Sequence, residues 1–280
     1  MKIYTTDEEI HTNNLNFEKL GLVPTMGNLH EGHLSLIKES KKNARKTIVS
    51  IFINPLQFSP NEDYNNYPRT IESDLSKLEQ INCDYVFIPK YDYAKNLHLI
   101  KAPPISRKLC GKSRPGHFDG VLTIINKIFS TISPSLSLFG LKDYQQFLLI
   151  KHFAKKNFPN IKIEGLPIIR EDDGLAMSSR NNLLSKKDRK NAPFIFEKLN
   201  WIKNNRNRLS IEELITRSTE QLKRREFKID YLGIYNLSDL EKVSNFDNGA
   251  VIAIAAKLGK VRLIDNLIIC LLYTSPSPRD

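Results

Sequence analysis

Gly21-Leu-Val-Pro-Thr-Met-Gly-Asn-Leu-His-Glu-Gly-His33 reads as a short apolar strand, a tight glycine turn, and a helix start carrying two histidines. His30 and His33 are three residues apart, a spacing that puts both on one face of a helix. A helix N-terminus gathers anions through its unpaired N–H groups and its dipole. Gly32 between the histidines removes a side chain, so a ligand can approach the backbone closely. Two imidazoles at such a terminus can donate hydrogen bonds to phosphate oxygens. The segment therefore points to chemistry on a nucleotide triphosphate. Zinc is a poor alternative, because the metalloprotease pattern needs histidines at i and i+4 with a glutamate base, and no third ligand follows nearby. Helix capping suits one histidine but does not account naturally for both together with two glycines.

Outward from this turn, strand-like and helix-like runs alternate. Lys46 to Asn54 is β-branched and apolar, as a buried parallel strand should be. Thr70 to Ile81 has helical spacing through Ile71, Leu75 and Leu78, and Tyr85 to Pro89 is a short strand. Gly120 to Ser133 reads as an apolar helix ending before Pro134. Leu136 to Phe139 is a strand, Asp143 to Lys156 a helix, and Ile161 to Arg170 a strand. This alternation implies βαβ units and a parallel sheet, whose ligands sit at the carboxyl ends of the strands. Beyond residues 171–176 the character changes. Ser185 caps a helix reaching about Asn204, and Ser210-Ile-Glu-Glu213 is a capping box opening another. Strand-like runs follow at Ile229 to Tyr235, Ala250 to Lys257 and Lys260 to Asp265, the last two joined by a turn at Leu258-Gly259. The end of the chain from Cys270, closing Tyr-Thr-Ser-Pro-Ser-Pro-Arg-Asp, fits neither pattern and reads as sequence foreign to the domain.

Composition limits the classes. A chain of 280 residues with 40% hydrophobic content supports one large or two modest domains. Met1 to Asn16 is polar and does not resemble a signal peptide. No uncharged apolar stretch approaches the roughly 18–20 residues that span a bilayer. Cys83, Cys110 and Cys270 are far apart and odd in number, which suggests reduced thiols in a cytosolic protein. The net charge is +11, but it is scattered in pairs such as Lys41-Lys42 and Lys186-Lys187. Solvated helix faces explain it better than a nucleic-acid stripe, and no aromatic-plus-basic RNA-binding motif is present.

Four further segments carry polar chemistry. Asn54, Pro55 and Gln57 end a strand, and carboxamides suit a substrate bearing hydroxyl and carboxylate groups; an ordinary polar turn is the bland reading. Lys112-Ser-Arg-Pro-Gly-His-Phe118 packs cations into a Gly/Pro loop. Gly111-Lys-Ser113 mimics the end of a Walker A motif, but Ser106 stands where its first glycine belongs, so a P-loop is rejected. Gly140-Leu-Lys-Asp-Tyr-Gln-Gln146 follows a strand and opens a helix, placing Lys142 toward a phosphate. Asp143 there either caps the helix or helps hold a magnesium ion, and only one of Gln145 and Gln146 faces the site. Met177-Ser-Ser-Arg180 offers two hydroxyls and a guanidinium as a mobile phosphate clamp at the domain junction, with serine capping of equal local weight.

Taken in order, Val23 to His33, Asn54 to Phe58, Tyr67-Pro-Arg-Thr70, Gly111 to Phe118, Phe139 to Gln146 and Asp173-Gly-Leu-Ala-Met-Ser-Ser-Arg-Asn181 closely resemble the pantoate–β-alanine ligase family. Arg262-Leu-Ile-Asp-Asn266 resembles the end of the family's C-terminal domain. The resemblance implies an α/β fold: a Rossmann-like nucleotidyltransferase domain of the HIGH superfamily over residues 1–170, and a smaller α+β lid domain over 171–269. It implies a homodimer with ATP, Mg²⁺, D-pantoate and β-alanine as reactants, while composition points to a cytoplasmic protein with no membrane or nucleic-acid partner. The reaction it implies proceeds through pantoyl adenylate, releasing pyrophosphate and then AMP. Matched residue by residue, His33, His30, Lys142 and Arg180 are the catalytic set, with His33 at the proton-donor position. Met26, Gly27, Asn28, Leu29, His30, Glu31, Gly32, His33, Gly140, Leu141, Lys142, Asp143, Met177, Ser178, Ser179 and Arg180 resemble ATP contacts. Ile169 is matched to adenine through its backbone. Gln57 and Gln146 match the pantoate-holding glutamines, with Asn54, Arg114 and His117 in the same cleft. The resemblance assigns no metal ligands. Leu141 departs from the pattern, standing where the family usually has glutamate. Another nucleotidyltransferase of the superfamily would share the His-x-Gly-His element without needing the Gln57 and Gln146 pair. A basic nucleic-acid-binding module is the non-enzyme alternative.

Overall fold

The computed structural model describes residues 1–13, 19–60 and 62–269. The chain forms two compact units: Met1–Glu171 with Ala176–Asn182, and Asp172–Leu175 with Leu183 onward. The sequence suggests one crossing near residues 171–176. The chain instead crosses at Asp172, returns for Ala176–Asn182 and crosses again. The expectation for the tail from Cys270 falls outside the described residues.

In the first unit the strands are β1 (Lys2–Tyr4), β2 (Leu20–Thr25), β3 (Lys46–Ile51), β4 (Tyr85–Phe87), β5 (Leu136–Gly140) and β6 (Lys162–Leu166). They form one sheet in the order β1-β4-β3-β2-β5-β6, and every neighbouring pair is parallel. Leu22, Val23, Ile48 and Val49 are fully buried, as the continuous apolar runs of a sheet covered on both faces require. The helices are α1 (Asp7–Thr12), α2 (Glu31–Asn43), α3 (Ile71–Gln80), α4 (Leu109–Ser113), α5 (His117–Ile132) and α6 (Tyr144–Asn157). α2 packs tightly on β2 through Gly21, where a Cβ would lie 2.2 Å from Ser40 Oγ. β2 lies between β3 and β5, so the winding reverses there. A parallel sheet opens a crevice at the carboxyl ends of its strands at such a switch point, and the turns after β2 and β5 are the ones the sequence singled out.

The second unit contains α7 (Lys186–Asn191), α8 (Phe194–Asn205), α9 (Ile211–Arg224) and the antiparallel sheet β7 (Lys228–Tyr235), β8 (Ala250–Leu258), β9 (Val261–Ile269). Its core is made by Leu199, Ile202, Leu214 and Leu222 against Ile252 and Ile254. The expected capping box is present, with Ser210 and Glu213 bonding reciprocally.

Several boundaries moved for local reasons. The helix expected from Ser185 to Asn204 is two helices, because Pro193 lacks the N–H that would continue the first. β6 ends at Leu166, before Pro167, so the strand expected to Arg170 stops early. α5 begins at His117, with Gly116 in the left-handed region at its cap (φ 80°). Leu258 pairs with Val261, so the hairpin turn is Gly259-Lys260 and β9 runs on to Ile269.

Candidate active site

The turn after β2 is built by its own backbone. Thr25 Oγ1 accepts from the Gly27 amide at 3.2 Å. Gly27 and Asn28 both take positive φ, 80° and 50°, turning the chain sharply into α2. His30 is the N-cap of α2 and His33 its third residue, and they cap reciprocally. His30 Nδ1 accepts from the Gly32 amide at 3.1 Å, and His33 Nδ1 from the His30 amide at 3.3 Å. Both histidines are therefore caps, which the sequence reading set aside. Capping uses only one edge of each ring. With each Nδ1 accepting a backbone amide, a neutral imidazole carries its proton on Nε2. Neither Nε2 has a hydrogen-bond partner among the described residues, and the ring centroids are 4.1 Å apart. The reason for Gly32 also differs from expectation: a Cβ there would meet His30 Cε1 at 2.8 Å. The vacated space holds the His30 ring.

The electrostatics keep both rings neutral. Burial, then the charges of Lys142 and Lys77, bring His30 down to about 4, while Glu171 pulls the other way. Burial, then His30, Lys142 and Lys77, hold His33 well below its usual value. A depressed histidine pKa means that the unfolded chain binds protons the folded chain refuses. Folding stability should therefore fall as pH drops from 6.5 towards about 4. His30→Asn keeps a capping side chain and removes one titrating group. The denaturation midpoint of that variant should vary less with pH across this window. An unchanged slope would eliminate His30 as its source.

Two residues of α3, which the sequence reading missed, hold the turn from below. The Asp74 carboxylate accepts from the Asn28 amide at 2.8 Å and the Leu29 amide at 2.7 Å. Lys77 Nζ donates to the Leu29 carbonyl at 2.7 Å. Asp74 is only 1% exposed. Its signal was present: residues 71, 74, 75 and 78 share a helix face, so Asp74 is a charge in an apolar stripe.

From the other side the returning segment docks on the same turn. Ser179 Oγ donates to the Asn28 carbonyl at 3.1 Å, and Asn28 Nδ2 donates to the Ser179 carbonyl at 3.2 Å. Ser178 Oγ accepts from the Arg180 amide. The Met177 amide donates to the Ile169 carbonyl at 3.0 Å. Met177–Arg180, expected as a clamp at the domain junction, is thus tied into the first unit, with the Ser179 hydroxyl donating to the turn. The Glu31 carboxylate pairs with Lys38 on the exposed flank of α2.

After β5, Gly140 has open space where a Cβ would be, and a 3₁₀ turn over Leu141–Asp143 carries Lys142. Asp143 makes no side-chain cap to α6, and its charge acts on Arg180 and Tyr67. Gln145 is buried and holds the Cys110 amide and the Ile105 and Lys108 carbonyls, which leaves Gln146 as the glutamine available to a ligand. Leu141 lies on the β6 backbone: a Cβ on Gly165 would sit 2.5 Å from its Cδ2. Leu141→Glu should fold with roughly 1 kcal/mol less stability, from lost apolar burial. A denaturation curve checks this, and complete loss of folding would make Leu141 a core residue.

After β3, Asn54 holds the turn together. It is 1% exposed, and its carboxamide is fully engaged: Nδ2 donates to Gln57 Oε1 and the Gly120 carbonyl, and Oδ1 accepts from the Leu56 amide. These bonds shape the turn and aim Gln57. Gln57 Nε2 lies 2.9 Å from Met26 Sδ, which joins the turns after β2 and β3. His117 Nδ1 donates to the Gln57 carbonyl at 2.8 Å, so its Nε2 accepts from Arg114 Nη1 at 2.9 Å. Arg114 and Arg180 each meet a carboxylate, Glu62 and Asp63 respectively, through two hydrogen bonds. Arg180 also lies over the Tyr67 ring at 5.4 Å. Among the described residues no group of three or more His, Cys, Asp or Glu could hold a metal ion.

Comparison with known proteins identifies the family. A family model described as pantoate-beta-alanine ligase matches residues 2–268. A pantothenate synthetase of Pseudothermotoga lettingae is 46% identical over 266 residues, covering 89% of this chain and 91% of that protein. One from Stutzerimonas stutzeri is 42% identical over 259 residues, covering 90% and 91%. The solved pantothenate synthetase of Thermus thermophilus superposes with a TM-score of 0.91 at 35% identity, covering 97% of this chain and all of that one. The pantoate-beta-alanine ligase of Francisella tularensis, solved with beta-gamma ATP and beta-alanine, gives 0.80 at 37% identity, covering 96% and 97%. With that match over nearly its whole length, and with paired histidines capping a helix at the switch point of a parallel sheet, the chain belongs to the pantoate–β-alanine ligase family.

Proposed function

We propose that the chain condenses D-pantoate with β-alanine at the expense of ATP. The observation that carries the reading is the pair of neutral histidines, each with Nδ1 engaged and Nε2–H available, at the N-terminus of α2. Such donors meet phosphate oxygens without needing to reorganise. In the first step a pantoate carboxylate oxygen bonds to the α-phosphorus of ATP, and the bond to the β-phosphate oxygen breaks, releasing pyrophosphate. In the second the β-alanine amine bonds to the activated carbonyl carbon, the bond to the adenylate oxygen breaks, and the amine loses a proton as AMP leaves. Neither step requires a covalent protein nucleophile; alignment and charge neutralisation supply the rate.

In this reading His30, His33, Lys142 and Arg180 neutralise the triphosphate. The backbone from Met26 to Gly32, Gly140 to Asp143 and Met177 to Ser179 surrounds the nucleotide, and Ile169 meets adenine. Gln57, Gln146, Arg114 and His117 form the pantoate end. Mg²⁺ belongs to the substrate as MgATP, whose phosphates and waters provide most of its ligands, so a single carboxylate such as Asp143 suffices from the protein. The reading extends to a cytoplasmic homodimer, and light scattering of the purified chain checks the dimer.

The test is release of AMP and pyrophosphate from ATP and Mg²⁺ with D-pantoate, with and without β-alanine. Pyrophosphate release dependent on pantoate, and AMP release dependent on both substrates, support the reading. A folded protein that binds ATP but shows no pantoate dependence would overturn it.

A further inference from the structure

Glu62 and Asp63 are neighbours in sequence, yet they engage arginines 52 and 117 residues away. Glu62 Oε1 accepts from Arg114 Nε at 2.6 Å, and Oε2 from Nη2 at 2.7 Å. Asp63 Oδ2 accepts from Arg180 Nε at 2.8 Å, and Oδ1 from Nη2 at 2.9 Å. Both carboxylates therefore grip the same Nε–Nη2 edge of the guanidinium, the paired geometry that fixes an arginine in plane. Nη1 is left pointing elsewhere in each case. In Arg114 it reaches His117 Nε2 at 2.9 Å. In Arg180 it has no hydrogen-bond partner among the described residues.

The segment that carries the two carboxylates is itself held. Tyr67 is 5% exposed and bonds the Ser179 side chain. Phe58 packs edge-on against Tyr64 and Tyr67 at 5.3 and 5.9 Å. A carboxylate beside a triphosphate is repulsive unless it is neutralised, and here each is neutralised by the arginine it grips. Its contribution is to remove rotamer freedom from a long cationic side chain before a ligand arrives.

We infer that Glu62 and Asp63 are positioning residues with separate clients: Asp63 aims Arg180 at the triphosphate, and Glu62 aims Arg114, with His117, at the pantoate end. The inference rests on the proposed assignment of those arginines, and the experiment keeps the two apart. Asp63→Asn and Glu62→Gln preserve size while turning one accepting oxygen into a donor that faces an arginine N–H. Arg180→Ala and Arg114→Ala serve as references. Initial rates of pyrophosphate release give KM for ATP and for pantoate, and calorimetry gives ATP binding without turnover.

Asp63→Asn should raise KM and Kd for ATP roughly tenfold while KM for pantoate stays within about twofold. Glu62→Gln should show the converse. A merely structural loop would shift both constants together in both variants, and that result would overturn the inference. Variants that bind like wild type, while Arg180→Ala and Arg114→Ala lose affinity, would overturn it and leave the arginine assignments standing. Arginine variants that are themselves silent would overturn both.

Discussion

His33→Ala is expected to slow pantoyl-adenylate formation by about two to three orders of magnitude, the usual cost of removing one preorganised donor to developing charge. The ring offers Nε2–H to a ligand and Nδ1 to the His30 amide at 3.3 Å. Alanine deletes both, so some stability, about 1 kcal/mol, goes with the lost cap. His33→Gln separates the two effects. Glutamine at the third helical residue can reach back to the cap amide, restoring stability, but it does not place a donor where Nε2 was. Pyrophosphate release in a single turnover, set beside a denaturation curve for each variant, gives the comparison. Near-wild-type adenylation in His33→Ala would remove the histidine from the chemistry.

Asp74→Asn should be nearly as damaging, although the residue touches no substrate. Its two oxygens each accept an amide of the turn, from Asn28 and Leu29. An amide group can accept only one of them and must present N–H to the other. The result is a buried unsatisfied donor, costing about 1–3 kcal/mol, beneath a residue already held at φ 50°. Relaxation of that turn moves the N-terminus of α2, and a displacement of about 1 Å at a reacting site costs roughly a hundredfold in rate. Lys77→Met loses one contact, to the Leu29 carbonyl, and should show a smaller loss. The check is kcat/KM for ATP at a temperature where both variants are folded. Turnover like wild type in Asp74→Asn would mean that the turn holds its shape without the carboxylate.

These two residues show how unevenly the sequence disclosed the site. His33 stood in a local pattern of strand, glycine turn and helix start, where every element needed to read it lay within a dozen residues or so. Asp74 stood in an ordinary amphipathic helix, and its meaning depended on a turn 45 residues earlier. Glu62 and Asp63 gave no local signal, because their partners come from two other segments. Asn54 has a structural role that its local sequence did not show. A carboxamide at the end of a strand suggested a substrate contact, and only the tertiary structure showed its bonds to Gln57 and to the Gly120 carbonyl 66 residues away. Gly32 was read as a gap for a ligand and proved to be a gap for the ring of its neighbour.

By itself the sequence determined the class of the fold, most of the succession of strands and helices, and the capping box at Ser210. These follow from short-range rules, hydrophobic period, capping chemistry and glycine placement, which operate within one or two turns of chain. The local cap at the start of α2 settles which edge of each histidine is engaged, and the tertiary structure leaves the other edge without a partner among the described residues. Tertiary structure also decided which of Gln145 and Gln146 is available, and that Met177–Arg180 docks back onto the first unit. Those outcomes depend on where a polar atom finds its partner once water is excluded. The partners of Gln145 and Ser179 lie 35 to 151 residues away in sequence.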